Sequence, residues 1–140
     1  MSAIGFVWPL RVYYEDTDAG GVVYHAAYLR FMERARTEWL RALGFAQREL
    51  ASEDGFVFAV HAVHLNFLRP AYLDDALTVS CQLAKLGRVR LALTQEIRRD
   101  SMVLVRATVD LACLDAQRFT PKAMPAALRA VMTAEWRTQA

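Results

Sequence analysis

The hydrophobic residues of this chain change their period once, and that change restricts the folds open to it. Between residues 25 and 43 they recur every three or four positions. Tyr28, Met32, Ala35, Trp39 and Leu43 share one helical face, and Arg30, Arg34, Glu38 and Arg41 lie largely opposite. Arg34 and Glu38 stand four apart, the spacing of a helical ion pair. Gly44 supplies a C-terminal stop. A second short helix is expected over residues 46–52, before the turn pair Asp54-Gly55.

After residue 55 the period drops to two. Residues 56–69 read as one long strand ending at Pro70. Leu77, Val79, Cys81 and Leu83 then alternate with polar residues. So do Val89, Leu91, Leu93 and Ile97, and again Val103, Val105, Ala107, Val109, Leu111 and Cys113. Gly87 and the pair Asp100-Ser101 mark the turns of an antiparallel meander. Residues 6–14 form a first strand, and residues 126–136 a terminal helix beyond Pro121 and Pro125. One long helix facing an antiparallel sheet is an α+β design, here a single domain over residues 1–140.

Strict alternation along residues 56–68 leaves both faces of that strand apolar. Phe56, Phe58, Val60 and Ala62 fall on one face, and Val57, Ala59, Val63, Leu65 and Phe67 on the other. One helix covers one face of a sheet, so the second face is expected to meet another subunit, favouring a tetramer. The hydrophobic share of 55% agrees, since no stretch approaches the roughly 18 apolar residues of a membrane helix. The opening residues 1–9 lack a basic n-region, so no signal peptide is expected. Cys81 and Cys113 sit in apolar strand patterns, as buried thiols of a reduced, cytoplasmic protein. A net charge of +2 is too small and too dispersed to indicate nucleic acid.

The chemically dense segment runs Tyr14-Glu15-Asp16-Thr17-Asp18-Ala19-Gly20-Gly21-Val22-Val23-Tyr24-His25. It sets carboxylates in a glycine-containing loop just before a helix N-terminus, where free N–H groups and a partial positive charge gather. Such a terminus can hold the oxyanion formed when a thioester is attacked, while a carboxylate activates water or attacks directly. Gly20 and Gly21 let the backbone approach a substrate closely. By chemistry alone a loop of this kind is more often a turn and a cap than a catalytic site.

The pattern Asp16, Asp18, Gly21, Val23 and Tyr28, with the later stretch from Asn66 through Arg69-Pro70 to Asp74-Asp75, resembles the 4-hydroxybenzoyl-CoA thioesterase family. Within it, the chain is most similar to the bacterial tol-pal-associated acyl-CoA thioesterases, over about residues 6–125. The resemblance implies a hotdog fold, a long helix wrapped by an antiparallel sheet. It implies hydrolysis of acyl-CoA, with acyl carrier protein thioesters as a further substrate class. The catalytic acid falls on Asp18, not on Asp16 or Glu15, and the carbonyl-polarising backbone N–H on His25, with Tyr24 beside it. Gly20, Gly21 and Tyr28 are then substrate-binding candidates, although packing is the simpler role for Tyr28. The pocket floor is expected from Tyr28, Phe31, Met32 and a second subunit, in a homodimer or homotetramer with its site at the interface.

The resemblance also places the chain in the cytoplasm or at the periphery of the inner membrane. It leaves a non-catalytic acyl-binding scaffold of the tol-pal system as the alternative reading. A hotdog dehydratase lacks its expected helix acid, since Glu33 lies two turns into the helix. His61 and His64, three apart on a strand, are expected to point to opposite faces, so no metal and no cofactor is expected. Ser52, Ser80 and Ser101 have no nucleophile context. Glu33 and Arg36 read as surface charges. Arg69, Arg88, Arg90 and Lys122 are solvated cations, any of which could meet a CoA phosphate without being singled out.

Overall fold

The computed structural model describes residues 5–139; residues 1–4, within the segment read for a signal peptide, lie outside them. The elements are β1 (Phe6–Arg11), a 3-10 turn (Tyr14–Asp16), α1 (Ala27–Ala42), α2 (Gln47–Asp54), β2 (Phe56–Phe67), β3 (Ala76–Leu86), β4 (Arg90–Arg99), β5 (Met102–Asp115) and α3 (Ala126–Gln139). The five strands form one antiparallel sheet in the order β1-β3-β4-β5-β2. The period-two region therefore becomes a meander of β3, β4 and β5, with β2 and β1 added at its two edges. This is the α+β hotdog arrangement.

Burial follows the helical period. Ala27, Tyr28, Phe31, Met32, Ala35, Trp39 and Leu40 of α1 face the sheet. The N-terminal half of α1 packs on Leu77, Val79, Ile97 and Leu104. Its C-terminal half joins Leu50 of α2, Phe56, Leu93 and the α3 residues Leu128 and Met132. Fully burying a side chain the size of Phe31 stabilises by about 1.5–3 kcal/mol.

Three sequence expectations need correction. β1 stops at Arg11 and not at residue 14, because the Asp16 carboxylate takes the N–H of Tyr13 at 2.8 Å and folds the chain into the 3-10 turn. Glu38 pairs with Arg41 at 2.8 Å, not with Arg34.

The third correction concerns β2. The register against β5 slips between Val60 and Ala62, so His61 is an extra residue in a bulge. Cross-strand partners share a face, and Phe58, Val60, Val63, Leu65 and Phe67 all sit opposite the alternating set Cys113, Leu111, Val109, Ala107 and Val105. Those residues line the helix side of the sheet. The other face carries Val57, Ala59, Ala62, His64 and Asn66, and its far end lies beside the Glu96, Arg98 and Arg106 ion pairs. Val63, Leu65 and Phe67 thus move to the helix side, and the second face keeps only Val57, Ala59 and Ala62 as apolar residues before it turns polar at His64. The bulge likewise removes the simple parity that set His61 against His64. Among the described residues no group of three potential metal ligands occurs.

Candidate active site

The loop between β1 and α1 sorts its carboxylates by environment. Asp16 is 4% exposed. Its Oδ2 accepts from the Tyr13 N–H, its carbonyl from the Tyr24 N–H at 2.8 Å, and its Oδ1 lies 3.5 Å from Arg30. Asp16 is thus built into the fold. Asp18, two residues on, is exposed. Its backbone N–H donates to Val22 and its carbonyl accepts from Gly21, both at 3.0 Å, closing a tight turn. The Gly20 N–H donates to Asp18 Oδ1 at 2.8 Å and orients the carboxylate.

The glycines have local reasons to be glycine. A Cβ at Gly20 would come 3.1 Å from Asp18 Oδ1, and Gly21 has a φ of +82°. That left-handed backbone is easily reached only without a side chain. Gly20 therefore supports the Asp18 carboxylate directly, and Gly21 shapes the turn that carries it through the Asp18 carbonyl. An open depression of about 620 Å³ spreads around Tyr14, Glu15, Thr17, Asp18 and Ala19.

The approach to α1 leaves donors free. The Val23 N–H goes to the Ala71 carbonyl at 2.9 Å, that of Tyr24 to Asp16, and that of Ala27 to the Tyr24 carbonyl at 2.8 Å. The N–H groups of His25 and Ala26 take no acceptor among the described residues. Ala26, at the N-cap, has no side-chain cap to offer. The His25 ring is exposed and lies 4.5 Å from that of Tyr24, tilted by 47°.

Tyr28 is not on the exposed wall of this loop. Its ring is buried against Phe31 and Phe67, and its hydroxyl accepts the Ala71 N–H at 3.2 Å. Burial pushes the pKa of that hydroxyl up. Phe31 and Met32 are likewise packed in the core, so the expected pocket floor is solid in a single chain. A narrow cleft of about 110 Å³ lies further along, between α1 and β2, lined by Glu33, Arg36, Trp39, Leu40, Phe58 and Val60 among others.

Arg36 is not the surface charge that its place on the helix suggests. It reaches inward, Nη1 donating to Gln95 Oε1 at 3.0 Å, and Gln95 Nε2 donates to the Met32 carbonyl at 3.1 Å. Desolvation lowers the Arg36 pKa. Two signals in the sequence pointed here: Arg36 follows Met32 by four residues on the helix, and Gln95 stands in the core-facing register between Leu93 and Ile97. Of the other cations, Lys122 is tied to the Asp54 carbonyl at 2.7 Å. The Cys81 and Cys113 thiols are buried, and burial raises their pKa values to about 12 and about 11.

A long helix on an antiparallel sheet, opened by a carboxylate loop and free N–H groups, is the architecture of a hotdog thioester hydrolase. The Thioesterase superfamily model matches residues 20–106, and the chain belongs to that family. It is 44% identical to an acyl-CoA thioesterase YbgC of Haemophilus influenzae over 126 residues, covering 90% of this chain and 93% of that protein. It is 43% identical to an acyl-CoA thioester hydrolase YbgC of Escherichia coli O6:H1, covering 89% and 93%. A probable thioesterase from Bartonella henselae superposes with a TM-score of 0.83 at 39% identity, over 86% of this chain and all of that one. The chain is a thioester hydrolase. No described helix is long and apolar enough to cross a membrane.

Proposed function

We propose that residues 1–140 form one acyl-CoA thioesterase domain, with Asp18 as its catalytic carboxylate. The observation that carries this reading is the division of labour in the loop. Asp16 is buried and bonded, whereas Asp18 is exposed and oriented by Gly20, in the loop that leads to the His25 N–H, which has no acceptor among the described residues. The thioester carbonyl accepts from the His25 N–H, with the positive end of the α1 dipole behind it. Asp18 then attacks the carbonyl carbon, expelling the CoA thiolate and leaving an anhydride for water to cleave, or takes a proton from the attacking water. Tyr24 flanks the donor. Acyl carrier protein thioesters present the same carbonyl and are the second substrate class.

The depression around Asp18 is open, so the substrate needs another wall. β2 offers one: it is a 12-residue edge strand whose helix-side residues Val60 and Phe67 remain 50% and 51% exposed. A long apolar edge invites pairing with a second copy. The working unit in this reading is a dimer through β2, with substrate held between subunits; a monomer by light scattering contradicts it.

Release of free thiol from a panel of acyl-CoAs tests the catalytic assignment. Asp18→Ala and Asp18→Asn are expected to lose about 10²-fold or more in kcat. Rates equal to the wild type in both variants overturn it.

A further inference from the structure

The loop that bears Asp18 is held from a second side, by residues 69–75. Ala71 is the junction. Its carbonyl takes the Val23 N–H at 2.9 Å, and its own N–H donates to the Tyr28 hydroxyl at 3.2 Å. Tyr72 bridges Val22 in a short antiparallel contact. Val22 in turn accepts the Asp18 N–H at 3.0 Å, and Val23 bridges Thr17. Ala71 and Tyr72 thus reach Asp18 through Val22, Thr17 through Val23, and the first turn of α1 through Tyr28.

The segment has its own fastening. Asp75 Oδ2 accepts the Tyr72 N–H at 2.8 Å and an Nη1–H of Arg99, also at 2.8 Å. Arg99 Nη1 further donates to the Pro70 carbonyl at 3.2 Å, and its guanidinium lies 5.9 Å from the centre of the Tyr72 ring. One cation at the end of β4 thus grips both ends of residues 70–75. That segment also holds β1, since the Val12 N–H donates to the Asp75 carbonyl at 2.9 Å.

We infer that Arg99, Asp75 and Tyr28 are positioning residues for thioester hydrolysis, setting through Ala71 and Tyr72 the distance between the Asp18 carboxylate and the His25 N–H. This rests on Asp18 being the catalytic acid. Arg99 and Tyr28 act here through their bonds to residues 70–75. Displacement of a reacting group by about 1 Å can lower a rate on the order of 10²-fold, so loosening this platform affects turnover more than binding.

The test uses the full chain with Arg99→Met, Arg99→Lys and Tyr28→Phe. Arg99→Met and Tyr28→Phe are expected to lose about 10-fold or more in kcat, with KM within about 2-fold of the wild type. Arg99→Lys, which keeps a cation for Asp75, recovers most of the loss. Amide hydrogen exchange at Val23 accelerates in Arg99→Met and Tyr28→Phe, while the amides of β4 and β5 keep their protection. Unchanged kcat overturns the inference, and so does a loss of kcat without faster exchange at Val23. If Asp18→Asn is itself as active as the wild type, the assignment of the acid fails instead. Exchange at Val23 then still reports whether Ala71 holds the loop.

Discussion

The two ends of α1 are finished in opposite ways. At its C-terminal end, α2, α3 and the strands close over Trp39 and Leu40, and Phe56, Leu128 and Met132 are fully buried. At its N-terminal end there is no side-chain cap, the His25 and Ala26 N–H groups go without acceptors among the described residues, and an exposed carboxylate stands on a turn of two glycines. Good packing stabilises the first end and leaves it chemically inert. The second end gives up satisfied hydrogen bonds, and those open groups are what a polarised carbonyl needs. Asp16 and Asp18 repeat the contrast within three residues.

That comparison can be broken at several points. The largest expected effect is at the closed end, where Phe56→Ala leaves a cavity beneath α2 and α3 and costs about 3–5 kcal/mol in denaturant melts. Activity per folded molecule should hardly change. At the open end, Gly21→Ala forces a Cβ into a left-handed backbone and costs about 1 kcal/mol. Its effect on kcat should be out of proportion to that loss, because the turn aims Asp18. A variant that loses stability alone at Gly21 removes the distinction between the ends.

The smallest effect lies away from both ends. Burial disfavours ionised Glu96, but hydrogen bonds from Arg106 and Arg98 outweigh it and hold its pKa below the ordinary glutamate value. A lowered folded pKa means stability that is present above the unfolded pKa and lost as pH falls through the folded one. Arg106→Met should therefore flatten acid unfolding below about pH 4.3 and cost about 0.2–1 kcal/mol near neutrality, with kcat unaffected. A change in kcat would connect the polar face of the sheet to the site.

Much of this contrast was legible in the residues. The switch from a period of 3.6 to a period of two gave the order of helix and strands, because burial on one face is a local demand. The bulge at His61 was not legible, since an extra residue in one strand is set by its partner and leaves the alternation of Val60 and Ala62 looking intact. It carries Val63, Leu65 and Phe67 to the helix side. Asp18 was picked from its neighbours by family resemblance. The physical reason for that choice, Asp16 buried under the Tyr13 and Tyr24 amides, needs the tertiary fold. The inward turn of Arg36 toward Gln95 and the hold of Arg99 on Asp75 span 59 and 24 residues, beyond any window of local pattern.

Asp16→Asn and Asp18→Asn, compared by thermal melt and by thiol release per folded molecule, test the central claim most directly. Asp16→Asn weakens the bonds to Tyr13 and Arg30 and is expected to cost about 1–3 kcal/mol of stability, retaining measurable turnover. Asp18→Asn should melt with the wild type and lose about 10²-fold or more in kcat. The reverse pattern, or an Asp18→Asn protein that turns over at the wild-type rate, contradicts the account.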